Sequence, residues 1–290
     1  MRDTVAYLHD VVTVLAQDIG ARTYRDTDRL ERCANYIAGQ FNSFGFMTTR
    51  QSFPFNGNTY QNVVAECTGN SYPEKILVVG AHYDTVPDTP GADDNASGVA
   101  GLLALAGSLA SVRMSKTVRF VAFALEEPPL YRTQNMGSYQ YAQSLRENRE
   151  NVEGMICLEM IGFFSDREGS QHYPVPFFRW KFPTMGNYIA MVGNVRSKHF
   201  TESAAENFMK AVDLPVVTLN ALPIVLGIDF SDHWSFGKFE YKALMVTDTA
   251  FYRNPNYHAP TDLPETLDYV RMAKVVEGLT AVIEEWGGKE

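Results

Sequence analysis

Four short apolar segments of this chain lead, three of them directly and one through a loop, to imidazole or carboxylate side chains, and that pattern restricts the fold more than any other feature. Ile76 to Gly80 leads to Ala81-His82-Tyr83-Asp84, and Val118 to Leu125 leads to Glu126-Glu127. The segment 153–158 ends on Glu159, and 243–248 precedes a loop carrying Tyr257-His258. Runs of this length and apolarity suit strands buried on both faces. Between them the spacing turns helical. Asn95 is placed to cap a helix over 96–110 whose inner side carries Val99, Leu102, Leu103, Ala106 and Leu109. A second helix is expected over 136–147. A long amphipathic one carries Met272, Val275, Val276, Leu279, Val282, Ile283 and Trp286.

Strands alternating with helices predict an α/β fold: a twisted, largely parallel sheet covered on both faces. The first forty-five residues read as helical, with Leu30, Cys33, Ala34, Ile37, Phe41 and Phe44 in step and Gly45 as the stop. Strands at 47–54 and 60–67 flank Asn56-Gly57-Asn58, so a hairpin should add an antiparallel edge and make the sheet mixed. The stretch 163–200, rich in aromatics, glycine and proline, is expected to be a long loop over a site. At 290 residues, with no repeat or low-complexity linker, one domain spanning 1–290 is expected.

Composition excludes several roles. The net charge is −9 and no Lys/Arg cluster stands out, so nucleic acid is not an expected partner. No apolar run approaches a membrane span, so no membrane partner is expected. Arg2, Asp3, Asp10 and Asp18 interrupt any signal-like apolar stretch. The chain as it stands is expected in the cytoplasm, or in the periplasm or outside the cell if a leader is trimmed. Cys33, Cys67 and Cys157 form neither a disulfide framework nor a C-x-x-C pair.

What remains is a set of metal-ligand residue types at strand ends, where parallel α/β sheets place their sites. A borderline cation such as zinc takes this mix of imidazole and carboxylate. Two ions side by side would activate water for hydrolysis. A ligating histidine gives its other N–H to a carboxylate, and Asp84 stands two residues from His82. In Gly91-Ala92-Asp93-Asp94, one carboxylate can bridge two cations while its neighbour holds the backbone. In Glu126-Glu127, one side chain can ligate while the other accepts a proton from water. Glu159 sits among apolar residues and needs a partner. Each motif alone has a plainer explanation: a polar turn, a helix N-terminus, a charged strand end, a surface histidine. The ordered set is what carries weight. Ser231-Asp232-His233 lacks the G-x-S-x-G elbow of a serine hydrolase; the tripeptide, with Asp232 its main candidate, is expected behind the ligands or beside the substrate, with a helix cap as the alternative.

Together these motifs resemble the zinc aminopeptidase family that includes bacterial leucyl aminopeptidases, glutamate carboxypeptidase and glutaminyl cyclases. The resemblance runs over nearly the whole chain. It implies a three-layer α/β/α sandwich with a mixed, mostly parallel central sheet, and a metal-dependent exopeptidase that cleaves the N-terminal bond of a peptide with two zinc ions. It further implies His82, Asp93, Glu127, Glu159 and His258 as ligands, with Asp93 the bridge and a cis Asp93–Asp94 peptide. Asp84 and Asp94 would support the ligands, Glu126 would be the general base, and Tyr257 would help hold the oxyanion. Two departures stand out. Glu159 replaces the family's usual aspartate, and Pro128 to Met136 replaces a short Gly-rich segment. A glutaminyl cyclase with one zinc and Asp232 as proton shuttle, a carboxypeptidase gripping substrate through Arg132, Arg179 or Arg253, and a non-catalytic binding relative are the alternatives. Met160, Phe163, Phe164 and Trp234 are candidates for an apolar substrate pocket. The oligomeric state is not readable from the sequence.

Overall fold

The computed structural model describes residues 2–222 and 225–289. Helix α1 (Arg2–Thr13) continues through a wide turn and is followed by α2 (Thr27–Ser43). The hairpin β1 (Thr48–Phe55) and β2 (Asn58–Cys67) comes next, then β3 (Tyr72–His82), α3 (Gly98–Leu109), β4 (Lys116–Phe123), α4 (Gly137–Glu147) and β5 (Asn151–Glu159). The second half holds α5 (Phe178–Lys181), β6 (Ile189–Asn194), α6 (Lys198–Ala211), β7 (Val216–Ala221), α7 (His233–Lys238), β8 (Ala243–Thr247) and α8 (Tyr269–Gly287). The strands form one eight-stranded sheet in the order β1-β2-β4-β3-β5-β8-β6-β7. Strands β4, β3, β5 and β8 are mutually parallel; β2 against β4 and β6 against β8 run antiparallel. The sheet is therefore mixed, with a parallel centre, as expected.

Side-chain alternation explains the layers. Leu77 and Val79 of β3, Phe120 and Ala122 of β4, Ile156 and Leu158 of β5, and Leu244 and Val246 of β8 pack into one core beneath α1, α2, α3, α6 and α8. Their neighbours Ile76, Val78, Val121, Phe123, Met155, Cys157, Ala243 and Met245 face a second core under α4 and α7. Helix α8 starts where the Asp268 side chain accepts the Arg271 N–H. It buries Met272, Val275, Val276, Leu279, Val282 and Ile283, at about 1.5–3 kcal/mol for each large side chain. A Cβ on Gly278 would lie 2.4 Å from the Phe208 ring of α6, so only glycine lets these two helices approach this closely. No described helix is long and apolar enough to cross a membrane.

The parallel centre brings four strand ends to one edge. His82 pairs in register with Phe123, and Glu159 with Thr247. Two elements depart from the sequence expectation. The stretch 163–200 is not one loop: it contains α5 and β6. Strand β6 forms because Ile189 and Met191 enter one core while Ala190 and Val192 enter the other, so its apolar run has no polar alternation to reveal it. Strand β7 sits at the sheet edge and is only half-buried, which leaves no clear period in Val216–Ala221.

Arg22 ties the N-terminal helices to the site edge. It is fully buried, and its guanidinium donates to the carbonyls of Leu15, Gly20, Tyr83, Pro90 and Gly91. Removing it leaves several buried carbonyls without donors, each a penalty of about 1–3 kcal/mol if unrelieved. Arg22→Met is expected to destabilise the protein by about 3–5 kcal/mol. The check is the urea midpoint at unchanged m-value; a loss under about 1 kcal/mol would show that the network is dispensable.

Candidate metal centre

His82 is the last residue of β3 and is fully buried. Its Nδ1 lies 3.2 Å from the backbone oxygen of Asp84 and 3.5 Å from that residue's carboxylate. The Asp84 carboxylate accepts the N–H groups of Glu126 (3.0 Å) and Glu127 (3.1 Å), so it fixes the segment after β4 as well as the His82 ring. On the other side of the ring, Nε2 faces Glu159 Oε2 at 3.2 Å, Asp94 Oδ1 at 3.4 Å and Glu126 Oε2 at 3.9 Å. His258 Nε2 faces the other oxygen of Asp94 at 3.1 Å and Glu127 Oε2 at 3.3 Å. One carboxylate thus stands between two histidines, each with a second carboxylate of its own.

That central carboxylate belongs to Asp94, which corrects the expectation for Asp93. Asp93 turns away: its Oδ1 accepts the Gly162 N–H (2.9 Å), and its Oδ2 accepts from Asn254 Nδ2 (2.7 Å). The choice between the two is made by the backbone. The Asp262 carboxylate accepts the N–H groups of both Asp93 (2.9 Å) and Asp94 (3.1 Å). Asn95 fixes the exit from the turn. Its Nδ2 donates to Leu158 O, and its Oδ1 accepts from Gly98 and Met160. The cis peptide is Asp94–Asn95, one residue later than expected. Gly91 opens the turn at φ 63°, and a Cβ there would meet Asp94 O at 2.4 Å.

The backbone around the site is held in unusual conformations. Leu125, Met160 and His258 all have positive φ, at 63°, 52° and 54°. Such residues cost about 1–3 kcal/mol each and persist where the surroundings over-determine them. Leu125 re-aims the chain after β4 so that Glu126 and Glu127 both enter the cleft. Glu159 ends β5, and its Oε2 accepts a 2.6 Å hydrogen bond from Ser231 Oγ. Tyr257 stacks on the His258 ring at 3.8 Å between centroids. Asp232 is fully buried, and its side chain caps no backbone N–H of α7. His233 bonds Ile228 O instead of Ser231, so the three adjacent residues form no triad.

Four residues missed by sequence reasoning hold the site: Arg22, Asn95 beyond its cap role, Asn254 and Asp262. Ser231, of the tripeptide expected behind the ligands or beside the substrate, bonds Glu159. Asp262 and Asn254 lie within the same Pro/Asn-rich loop as His258, and that proximity was the one available signal. The apolar pocket next to the cleft also differs from expectation. It is lined by Tyr173, Phe178, Phe182, Tyr188, Ile228 and Phe230, among others, and Glu159, Phe230 and Tyr257 border both pocket and cleft. Phe164 instead packs beneath Arg253 and Arg271, and Trp234 against Tyr139. Arg132 pairs with Asp229, Arg179 is exposed on α5, and Arg253 is buried, donating to Gln171 and to Tyr188 O.

The electrostatics test whether a cation fits. Burial would lower the His82 pKa, but Glu159, Glu126, Asp84 and Asp94 outweigh it and raise it well above the ordinary value. Burial likewise opposes, and Asp94 and Glu127 drive, a rise of His258 to about 10. Burial, reinforced by Asp94, pushes Glu127 up to about 8. Burial raises Glu126, against His82 and with Glu159 and Glu127 adding to the rise. His82 Nε2, His258 Nε2 and Glu127 Oε1 are buried and meet no partner in hydrogen-bond geometry. Ligand atoms of His82, Asp94 and Glu127 all lie within 4.8 Å of one another. Imidazole nitrogens and carboxylates converging this way, without hydrogen bonds among themselves, are a donor set for a divalent cation.

Comparison with known proteins decides the family. Residues 62–283 match Peptidase family M28. The chain belongs to peptidase family M28. It is 40% identical over 284 residues to the uncharacterized protein YfbL of Escherichia coli, covering 95% of this chain and 86% of that one. It is 32% identical over 160 residues to leupeptin-inactivating enzyme 1 of Streptomyces exfoliatus, covering 54% and 35%. Among solved structures, a zinc aminopeptidase from Bacillus subtilis superposes with a TM-score of 0.77 at 18% identity, covering 97% of this chain and 95% of that one. LapB from Legionella pneumophila gives 0.76 at 21%, covering 98% and 72%, and a Bacteroides thetaiotaomicron glutaminyl cyclase gives 0.72 at 18%, covering 96% and 97%. The expectation of a zinc metallopeptidase with an α/β/α fold is met.

The raised groups give a pH prediction for metal-free protein. Glu127, at about 8, and Asp232 and Asp262, each pushed by burial to about 7, bind protons more tightly folded than unfolded. So does His258. Stability is then greatest below their unfolded values and falls as pH rises through the folded ones. Asp94 is depressed, mainly by its two histidines against its own burial, so its contribution is lost only in strong acid. The Tm of chelator-treated protein should fall between about pH 5 and pH 8, and zinc should restore it most at the upper end. A metal-free Tm that climbs over that window would contradict this charge assignment.

Proposed function

We propose that this chain is an exopeptidase that removes the N-terminal residue of peptides, acting as one catalytic unit with two zinc ions. The observation that carries the reading is Asp94, with one oxygen toward His82 and the other toward His258. His82, Asp94 and Glu159 would hold one ion; His258, Asp94 and Glu127 the other. Bound zinc supplies Lewis acidity, which makes water a nucleophile at neutral pH and polarises the scissile carbonyl.

The chain's own residues do the rest. Glu126 borders the cleft but stands farther from His82 than Glu159 does, which leaves it free to take the proton of the attacking water. It then delivers that proton to the leaving amine. Burial raises its proton affinity, and nearby cations would lower that affinity again and favour the carboxylate form a base needs. Tyr257 borders the same cleft and would donate its hydroxyl to the oxyanion. Asp84 holds the Glu126–Glu127 backbone so that base and ligand keep their separation. The buried Asp232, which interacts electrostatically with His82 and Glu159, would act behind this set. A carboxylate-rich cleft suits a substrate ammonium. Of the three candidate arginines, Arg132 and Arg253 are engaged by this chain's own groups, which supports amine over carboxylate recognition. The aromatic pocket beside the cleft favours large apolar N-terminal side chains.

Two experiments test the reading. Glu126→Gln is expected to keep its zinc and lose roughly 10²–10⁴-fold in kcat; near-normal turnover at full metal content would remove Glu126 from the role. The second compares leucine-initiated peptides with a free N-terminus, an acetylated N-terminus or an amidated C-terminus. Acetylation should abolish cleavage and amidation should not, and the reverse pattern would make the protein a carboxypeptidase.

A further inference from the structure

The segment Pro128–Met136 immediately follows the proposed base and ligand. It is anchored by the buried Leu130 and Met136, and it carries two residues that grip the loop before α7. Tyr131, part of the cleft wall with Asp94, Glu126, Glu127 and Glu159, donates its hydroxyl to Asp229 O at 3.0 Å. Arg132 pairs with the Asp229 carboxylate. Its guanidinium also lies 5.6 Å from the Tyr131 ring and 5.5 Å from the Phe230 ring. Tyr131 meets Phe230 edge-on at 5.6 Å. Arg132 itself has φ 58°, a conformation that contacts must hold in place.

Phe230 is the residue this grip positions, and it borders both the cleft and the apolar pocket. Beyond it the aromatic row continues through Phe251, at 6.1 Å, to Tyr257, at 5.4 Å from Phe251. The loop is fixed on its other sides by His233, which donates Nε2–H to Ile228 O, and by Ser231 on Glu159. Against the Phe230 ring itself lie Tyr131, Arg132 and Phe251.

Resting on the exopeptidase reading above, we propose that the Arg132–Asp229 pair is a specificity latch. It holds Phe230 as the divider between the reaction floor and the side-chain pocket. The pair acts through Phe230, so Arg132 and Asp229 are positioning residues. With the latch closed, a large apolar side chain passing into the pocket is enclosed by a fixed aromatic edge. With it open, that edge is lost, while a side chain too short to reach it is unaffected.

The test uses zinc-loaded Arg132→Met, Asp229→Asn and Arg132→Lys with alanine, leucine and phenylalanine p-nitroanilides. For the first two variants, KM for leucine and phenylalanine should rise by ~tenfold, KM for alanine should stay within about twofold, and kcat should barely change. Arg132→Lys keeps the charge and loses the planar guanidinium beside the Phe230 ring, so it should fall between these and the parent. Calorimetric titration with glycine hydroxamate and phenylalanine hydroxamate reads the same discrimination without turnover: the advantage of the larger probe should shrink by the same factor. Equal changes for all three substrates, or unchanged selectivity in both variants, would overturn the latch. So would loss of folded protein in both, which would make the pair structural. If the parent cleaves none of the substrates, the exopeptidase reading fails while the hydroxamate comparison still decides the latch.

Discussion

Everything at this site follows from the cost of burying carboxylates side by side. Asp94, Glu126, Glu127 and Glu159 are each less than a tenth exposed, and they converge where the described side chains offer only two imidazoles as neighbouring cations. Carboxylates in such a setting must take protons or take a cation. The raised proton affinities of Glu126 and Glu127 are the first response. The divalent ions proposed for the two sides of Asp94 would be the second, and they would satisfy the orphaned nitrogens of His82 and His258 as well. The folded chain thus holds an electrostatic deficit in a defined shape, and the chemistry proposed for it is what fills that deficit.

Rigid surroundings are needed to hold like charges together, and the fold supplies them in layers. Parallel pairing brings His82, Glu159 and the end of β4 to one edge. The Asp84 carboxylate clamps the Glu126–Glu127 backbone, and Asp262 clamps Asp93 and Asp94. Arg22 then pins the approach to both loops from the N-terminal side. Three residues of positive φ show the same over-determination at the backbone level. These devices place charged groups within hydrogen-bonding distance of one another, and each draws its partners from distant parts of the sequence.

That last property explains what the sequence could and could not disclose. The central strands were legible because Ile76–Gly80 and, apart from Arg119, Val118–Leu125 are apolar on both faces and lead into candidate ligand residues. Helix α8 was legible from its stripe. The residues that reach the centre were legible as well, because few roles account for His82, Glu126-Glu127, Glu159 and His258 in that order. The choice between Asp93 and Asp94 was not. Adjacent side chains point to different sides, and the side is set by Asp262 and Asn95, whose contacts exist only in the folded chain. Strand β6 was hidden for the opposite reason: burial on both faces within an aromatic, Gly- and Pro-rich stretch removes the period that marks a strand. The pocket lining was missed with it, since Tyr173, Phe178 and Phe182 come from that same stretch.

The central claim is that one carboxylate, Asp94, bridges two metal ions. Anomalous diffraction at the zinc edge, from crystals of protein purified with zinc, tests it directly. The account predicts two peaks about 3.5–4 Å apart, one bounded by His82 and Glu159, the other by His258 and Glu127, with an oxygen of Asp94 against each. A single peak, or two peaks that Asp94 does not join, would contradict it.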